Sequence, residues 1–285
     1  MRLGTAFALV GALLLAANDV WADTCTTTRQ RREFRQLSHA ERLTFLNSIK
    51  TLQEGPRPNR YDQYVQLYAS KFLNSQYSAQ FLPWHRAYLF EVEKVLQTID
   101  PSITIPYWDW AYDYEAPHTS LLLSSAYFGG NGDHSHDNCV VDGVFADWKP
   151  NSDNDCIVRT YDGGDHINPW WSWDDLRKLP LSQSGYVQFS DTTQSGYVYL
   201  PRAIGGQLAT TRAPDDPLFF LIYAFVDKLW ADWQKMSEGN ANAYSGRNFD
   251  QTSAKKTDTL FYDYHVEDVM DTRSLCYDYV DYNGE

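Results

Sequence analysis

Four segments of the chain carry apolar residues at the three- and four-residue spacing of a helix. The first begins at Ser38, which stands three residues before Glu41 in the pattern of a capping box, and continues to about residue 52. The other three cover about residues 61–72, 83–98 and 218–236. The pattern therefore predicts four helices in a mainly α protein.

The stretches between and after these helices differ in composition. Residues 101–196 are rich in Gly, Pro, Asp and Trp and contain no long periodic segment, which predicts loops and short strands. In residues 257–282 Asp and Tyr alternate, and we expect irregular chain or short β-strands there. No internal repeat or linker divides the chain, so we expect residues 23–285 to form one domain with long loops.

The first residues have the pattern of an export signal. Met1 and Arg2 precede an apolar stretch over residues 6–17, and the segment ends in small residues near Ala22. We expect a signal peptide over residues 1–22 and a secreted, extracellular protein. The apolar run is shorter than the ~20 residues that a membrane-spanning helix needs. No later segment is long and uncharged enough to span a membrane, so no membrane insertion is expected.

Charge and cysteine content narrow the possible partners and the compartment. The formal net charge of −13 repels nucleic acid and anionic membranes, so we expect neither as a partner. Four cysteines in an exported chain predict two disulfides, for which three pairings are possible. A pair Cys139–Cys156 would close a local loop, and Cys25–Cys276 would then join the two ends of the mature chain.

Two pairs of motifs carry a resemblance to a known family. The first pair is residues 81–89 (FLPWHRAYL) followed by 105–110 (IPYWDW), and the second is 204–208 (IGGQL) followed by 216–221 (DPLFFL). Together they resemble the two copper-site signatures of tyrosinases, catechol oxidases and molluscan-type hemocyanins, over about residues 32–234. This resemblance implies an antiparallel four-helix bundle core that holds two copper ions.

The copper-ligand positions implied by the resemblance are mostly not histidines here. The family holds each copper by three neutral imidazoles, because imidazole supports both oxidation states of the metal. The six positions fall on Tyr68, Gln76, His85, Tyr197, Pro201 and Tyr223. Only His85 keeps an imidazole, so we expect no copper, no other cofactor and no catalytic residues in this chain.

The scaffold around these positions is nevertheless retained. The resemblance implies that Arg86 on the third predicted helix pairs with Asp227 on the fourth, and we expect that ion pair to be structural. Tyr68, Tyr197 and Tyr223 are expected to fill the former metal cavity, with their hydroxyl groups hydrogen-bonded to one another and to neighbouring polar groups.

The residues allow three alternative sites. The first is an active phenol oxidase whose ligands come from the other histidines, although none of them forms a helix-borne pair; these are His39, His118, His134, His136, His166 and His265. The second is a ferric ion held by the three phenols and His85. The third is a surface cation bound at residues 133–137, where a solvated loop is the simpler interpretation.

An inactive protein can still have several roles. Many tyrosines lie outside the predicted helices, and exposed phenols could pack between subunits or be cross-linked; these are Tyr262, Tyr264, Tyr277, Tyr279 and Tyr282. They favour a structural component that associates with itself or with another extracellular protein. The alternative is a binding module that presents the former substrate cleft to a partner.

Overall fold

The computed structural model describes residues 25–150 and 155–284, so the predicted signal peptide lies outside the described residues. The described part contains α1 (His39–Thr51), α2 (Arg60–Ser75), α3 (Phe81–Gln97), α4 (Trp173–Lys178), α5 (Tyr186–Tyr197), α6 (Tyr199–Ile204), α7 (Phe219–Lys235) and α8 (Glu238–Ala241). Its strands are β1 (Arg29–Arg31), β2 (Thr259–Phe261), β3 (Tyr264–His265) and β4 (Tyr277–Tyr279). The fold is mainly α, as predicted.

The four predicted helices are α1, α2, α3 and α7. Ser38 caps α1, and its side chain accepts a hydrogen bond from the backbone N–H of Glu41 while the Glu41 side chain bonds back to the Ser38 N–H. Helix α3 is buried along nearly its whole length and packs against α1, α2, α5 and α7. It is therefore the centre of the helical core.

Helices α4 and α5 correct the expectation of loops and short strands over residues 101–196. The buried face of α5 includes Ser190, Thr193, Gln194 and Gly196. Tyr186, Phe189 and Tyr197 are buried as well, but the polar and small residues between them interrupt the apolar periodicity that reveals a buried helix face. Within the described part of residues 101–196, β-pairing is limited to isolated bridges.

The break between α5 and α6 follows from Pro201. Proline has no backbone N–H, so it cannot donate to the carbonyl of Tyr197 four residues earlier, and its ring crowds that carbonyl. Helix α5 accordingly ends at Tyr197, and α6 restarts with Pro201 in its first turn, where a missing N–H costs little.

The two ends of the described chain are tied together. Strand β1 pairs in parallel with β4, with Arg29 opposite Tyr277 and Arg31 opposite Tyr279, while β2 and β3 form an antiparallel pair. Disulfide Cys25–Cys276 lies next to the β1–β4 pair, and Cys139–Cys156 closes the local loop. Both expected disulfides are present.

Across residues 25–150 and 155–284, no helix combines the length and the apolar character needed to cross a membrane.

Candidate functional site

The six positions implied by the resemblance converge on one buried site. Tyr68 lies on α2, His85 on α3 and Tyr223 on α7, while Gln76 caps the end of α2. Five of the six border one residual cavity of about 60 Å³, namely Tyr68, Gln76, Tyr197, Pro201 and Tyr223. This volume is about that of two water molecules in the liquid, so little open space remains among these side chains.

The Tyr223 hydroxyl is the centre of a hydrogen-bond network. Its oxygen lies 3.1 Å from the Tyr68 hydroxyl oxygen and accepts a hydrogen bond from Gln76 Nε2 at 2.9 Å. The Tyr197 hydroxyl also hydrogen-bonds to it. We call these four residues together with His85 the tyrosine cluster. The phenols bond to one another as the sequence predicts.

Gln76 connects the cluster to Gln194, a residue that the motifs do not include. Its amide oxygen accepts hydrogen bonds from Gln194 Nε2 at 2.8 Å and from the Tyr197 hydroxyl at 3.3 Å. Gln194 lies on α5, one helical turn before Tyr197. Without a predicted helix there, this proximity could not be foreseen from the sequence.

His85 is a neutral histidine in the core. Its Nδ1 lies 2.7 Å from the backbone carbonyl oxygen of Phe81, so Nδ1 carries the proton and Nε2 keeps its lone pair. Gln76 Nε2 lies 3.4 Å from that Nε2 and can donate to it. Burial lowers the pKa of His85 to about 3, so the ring is uncharged at neutral pH.

The three phenols of the tyrosine cluster stay protonated. Burial raises the pKa of Tyr68, and it raises those of Tyr197 and Tyr223 well above the ordinary value for a phenol. A protonated phenol is a hydrogen-bond partner and a weak metal ligand. A ferric ion at this site would have to displace these protons.

The residues present do not fit two copper ions. The six positions supply one imidazole, three protonated phenols, one amide and one proline that has no side-chain donor atom. Among the described residues, no group of three or more His, Cys, Asp or Glu side chains is placed to hold a metal ion.

The remaining histidines lie apart from the cluster. His39 hydrogen-bonds to the Tyr127 hydroxyl. The ring centroids of His118 and His166 are 5.9 Å apart. His136 bonds to Asp133 in an exposed turn. These contacts offer no helix-borne pair of imidazoles for a copper site.

Beside the cluster, Arg86 and Asp227 form the expected ion pair. Arg86 Nε donates to Asp227 Oδ1 at 2.6 Å, and both side chains are buried. Arg31 also contacts the Asp227 carboxylate, and the hydroxyls of Tyr277 and Tyr279 donate to its Oδ2. Burial alone would raise the pKa of Asp227, but the two guanidinium groups and the two phenols hold it below its usual value.

The terminal tyrosines correct one expectation. Tyr264, Tyr277 and Tyr279 are buried, and Tyr282 is half-buried against Tyr112. Tyr262 alone among the five is strongly exposed. The sequence suggested exposed phenols because the aromatic residues of short strands give no local sign of which face is covered.

An open groove of about 600 Å³ runs beside the tyrosine cluster. Tyr77, Val198 and Arg202 border both this groove and the residual cavity. Its other lining residues are Asp191, Gln194, Ser195 and Tyr199. The groove is on the surface, whereas the tyrosine cluster is buried.

Comparisons of the sequence with a family model and with known proteins both find tyrosinases. The family model for the common central domain of tyrosinase matches residues 58–236. The tyrosinase of Streptomyces glaucescens is 31% identical over 247 residues, which cover 74% of this chain and 84% of that protein.

Solved structures share the fold. A polyphenol oxidase from Thermothelomyces thermophila superimposes with a TM-score of 0.71 at 23% identity, covering 89% of each chain. A functional unit of octopus hemocyanin gives a TM-score of 0.63 at 17% identity, covering 89% of this chain and 68% of that one. At these identities the likeness concerns the fold.

Proposed function

The chain belongs to the tyrosinase family, and from that premise we propose that it is a catalytically inactive, extracellular member that binds a ligand instead of oxidising one. The observation that carries the proposal is the tyrosine cluster. Where the family places six imidazoles, this chain has three phenols and one amide joined by hydrogen bonds, one proline and one histidine.

The chemistry of the cluster supports the loss of oxidase activity. A pair of copper ions needs three neutral nitrogen ligands for each metal, and His85 supplies one lone pair, which faces Gln76. Protonated phenols in a buried site do not replace imidazole. In the proposed function the protein therefore binds neither copper nor another cofactor.

Two features support an extracellular location. The N-terminal residues have the composition of a signal peptide. All four cysteines are paired in disulfides, which persist in oxidising compartments.

The open groove supports a binding role over a structural one. The case for self-association depended on exposed terminal tyrosines, and Tyr264, Tyr277 and Tyr279 are buried. A structural role remains the second candidate, and it is tested by sedimentation velocity over a hundredfold range of protein concentration. A single monomeric species throughout would favour binding, whereas a concentration-dependent larger species would favour assembly.

The decisive experiment measures metal and turnover together. The purified mature protein is analysed for copper and iron, its absorption spectrum is recorded, and catechol oxidation is assayed before and after copper is supplied. We expect no stoichiometric metal, no visible band and no turnover. Two coppers per chain with turnover would overturn the proposal, and iron with a visible phenolate band would indicate a ferric site.

Two controls make a negative result meaningful. The Streptomyces glaucescens tyrosinase, handled in parallel, shows that the copper loading and the assay work. A variant with the histidines restored, carrying Tyr68→His, Gln76→His, Tyr197→His, Pro201→His and Tyr223→His, tests the assignment of the positions. Copper uptake by this variant and not by the parent would attribute the difference to these five side chains.

A further inference from the structure

We propose that the open groove binds a neutral saccharide chain between the rings of Tyr77 and Tyr199. This inference depends on the proposed binding role and gives it a class of ligand. The volume of about 600 Å³ lies within the usual size of a small-molecule site, and both tyrosines line it.

The two aromatic rings are available to a ligand. The side chains of Tyr77 and Tyr199 are 61% and 56% exposed, which is unusual for residues that normally bury most of their surface. Tyr199 is supported from behind by Trp170, with ring centroids 4.9 Å apart. Trp170 in turn stacks on Trp171 at 6.1 Å. The Tyr199 ring is thus a supported platform, and a flat apolar face of this kind suits the C–H face of a sugar ring.

Helix α5 fixes the position of the three contacting rings, which belong to Tyr199, Trp170 and Trp171. A Cβ atom on Gly196 would lie 1.9 Å from the Trp171 ring, so the indole packs directly on the helix backbone. The aromatic platform therefore has a defined position relative to α5, which carries Asp191, Gln194 and Ser195 into the same groove.

Tyr77 occupies an unfavourable backbone conformation. It has φ +56° immediately after Gln76, the residue that caps α2, at a position where glycine is usual. The left-handed region costs a residue with a Cβ roughly 1–2 kcal/mol. Tyr262 shares this conformation and exposure outside the groove, so it is the position of Tyr77 in the groove that assigns its ring to the ligand.

The polar groups of the groove favour a neutral, hydroxyl-rich ligand. Asp191 and Arg202 are exposed and make no hydrogen bond or ion pair to another described residue. One carboxylate and one guanidinium give the lining no net charge, so it has no net attraction for a singly charged ligand. Both side chains can hydrogen-bond to the hydroxyl groups of a neutral ligand, the carboxylate as acceptor and the guanidinium as donor.

Gln194 adds a further acceptor. Its amide nitrogen is committed to Gln76 Oε1 at 2.8 Å, whereas its amide oxygen makes no hydrogen bond to another described residue. A ligand hydroxyl can donate to this oxygen. The groove therefore contains one free acceptor on Gln194 that is oriented by the tyrosine cluster.

Isothermal titration calorimetry tests the proposal with the mature protein and four neutral tetrasaccharides: chitotetraose, cellotetraose, laminaritetraose and mannotetraose. We expect saturable binding of at least one of them, with a change in tryptophan fluorescence because Tyr199 contacts Trp170. Tyr77→Ala and Tyr199→Ala should each weaken binding about tenfold. Asp191→Asn and Arg202→Gln should weaken it as well.

Tyr262→Ala is the matched control. Tyr262 is 62% exposed and also has positive φ, at +46°, but it lies in the turn between β2 and β3 and does not line the groove. This variant should bind like the parent. Binding that survives all four groove substitutions would overturn the assigned location.

The failure of this inference is distinguishable from that of the proposed function. If the folded parent binds none of the four saccharides, the ligand class is wrong, although the metal and turnover measurements still decide whether the protein is inactive. If catechol binds and is oxidised, the proposed function itself fails.

Discussion

The imidazole of His85 lies flat against the phenol of Tyr223, with ring centroids 4.1 Å apart and an angle of 15° between their planes. The resemblance to the tyrosinase signatures places both residues at copper-ligand positions. A neutral imidazole with its Nδ1 proton on the Phe81 carbonyl packs in this way as an aromatic core residue. The last histidine of the site therefore contributes to packing and hydrogen bonding in this chain.

Removing the Tyr223 hydroxyl should destabilise the protein. Tyr68, Gln76 and Tyr197 all hydrogen-bond to that oxygen, and Tyr223→Phe leaves these buried groups with fewer partners. We expect the free energy of unfolding to fall by about 1–3 kcal/mol. Urea unfolding measures it, with Tyr262→Phe as an exposed control that should not change. An unchanged Tyr223→Phe variant would contradict the proposed network.

Neutralising Asp227 should lower the free energy of unfolding more than Tyr223→Phe does. Asp227→Asn leaves the buried guanidinium of Arg86 without its carboxylate partner and weakens the contact with Arg31. Breaking a buried pair from one side costs about 3–5 kcal/mol. The control is Asp174→Asn, whose partner Arg177 is 64% exposed, and it should leave the urea midpoint unchanged. Equal midpoints for the two variants would show that the Asp227 pair has no structural role.

Stability should depend on pH through Glu33. Burial raises its pKa from 4.5 to about 7, although Arg35 and two backbone N–H groups partly oppose the shift. The folded protein therefore binds more protons than the unfolded chain between these pH values, so this carboxyl group lowers stability as pH rises through that window. Asp109, whose backbone N–H lies 3.3 Å from Glu33 Oε1, has its pKa raised by burial to about 6 and acts in the same direction.

Glu33→Gln isolates that contribution. The amide carries no charge at any pH, so the variant should gain stability relative to the parent by up to about 3 kcal/mol between pH 5 and pH 8. The comparison cancels His85, whose lowered pKa makes stability rise with pH between about 3 and 6.5 in both proteins. Urea unfolding at both pH values measures the gain, and a constant difference would show that Glu33 has no raised pKa.

The two disulfides should contribute different amounts to the free energy of unfolding. Cys25–Cys276 spans 251 residues and Cys139–Cys156 spans 17. Because a longer closed loop restricts the unfolded chain more, replacing the first pair by serine should cost about 5 kcal/mol and replacing the second about 3 kcal/mol. Equilibrium unfolding of the two double variants compares them directly. A larger loss for the short loop would mean that contacts local to residues 139–156 outweigh chain entropy.

The sequence predicted those parts of the fold that depend on neighbouring residues. Helices α1, α2, α3 and α7 follow from apolar periodicity, and the capping box of Ser38 gave the start of α1. Helix α5 was missed because polar and small residues interrupt the aromatic residues of its buried face. The six positions of the site followed from the motifs, since their spacing along the chain is a property of the family.

The role of Gln194, the groove and three further partners of Asp227 required the tertiary structure; these partners are Arg31, Tyr277 and Tyr279. Arg31 and Asp227 are 196 positions apart, and no local pattern records that two such residues meet. The same holds for the terminal tyrosines, whose burial depends on the pairing of β1 with β4. The sequence by itself determined the family, the main helices and the residue types at the six positions, because these depend on residue identity and spacing. Long-range packing decided which polar groups are satisfied and which aromatic rings remain exposed.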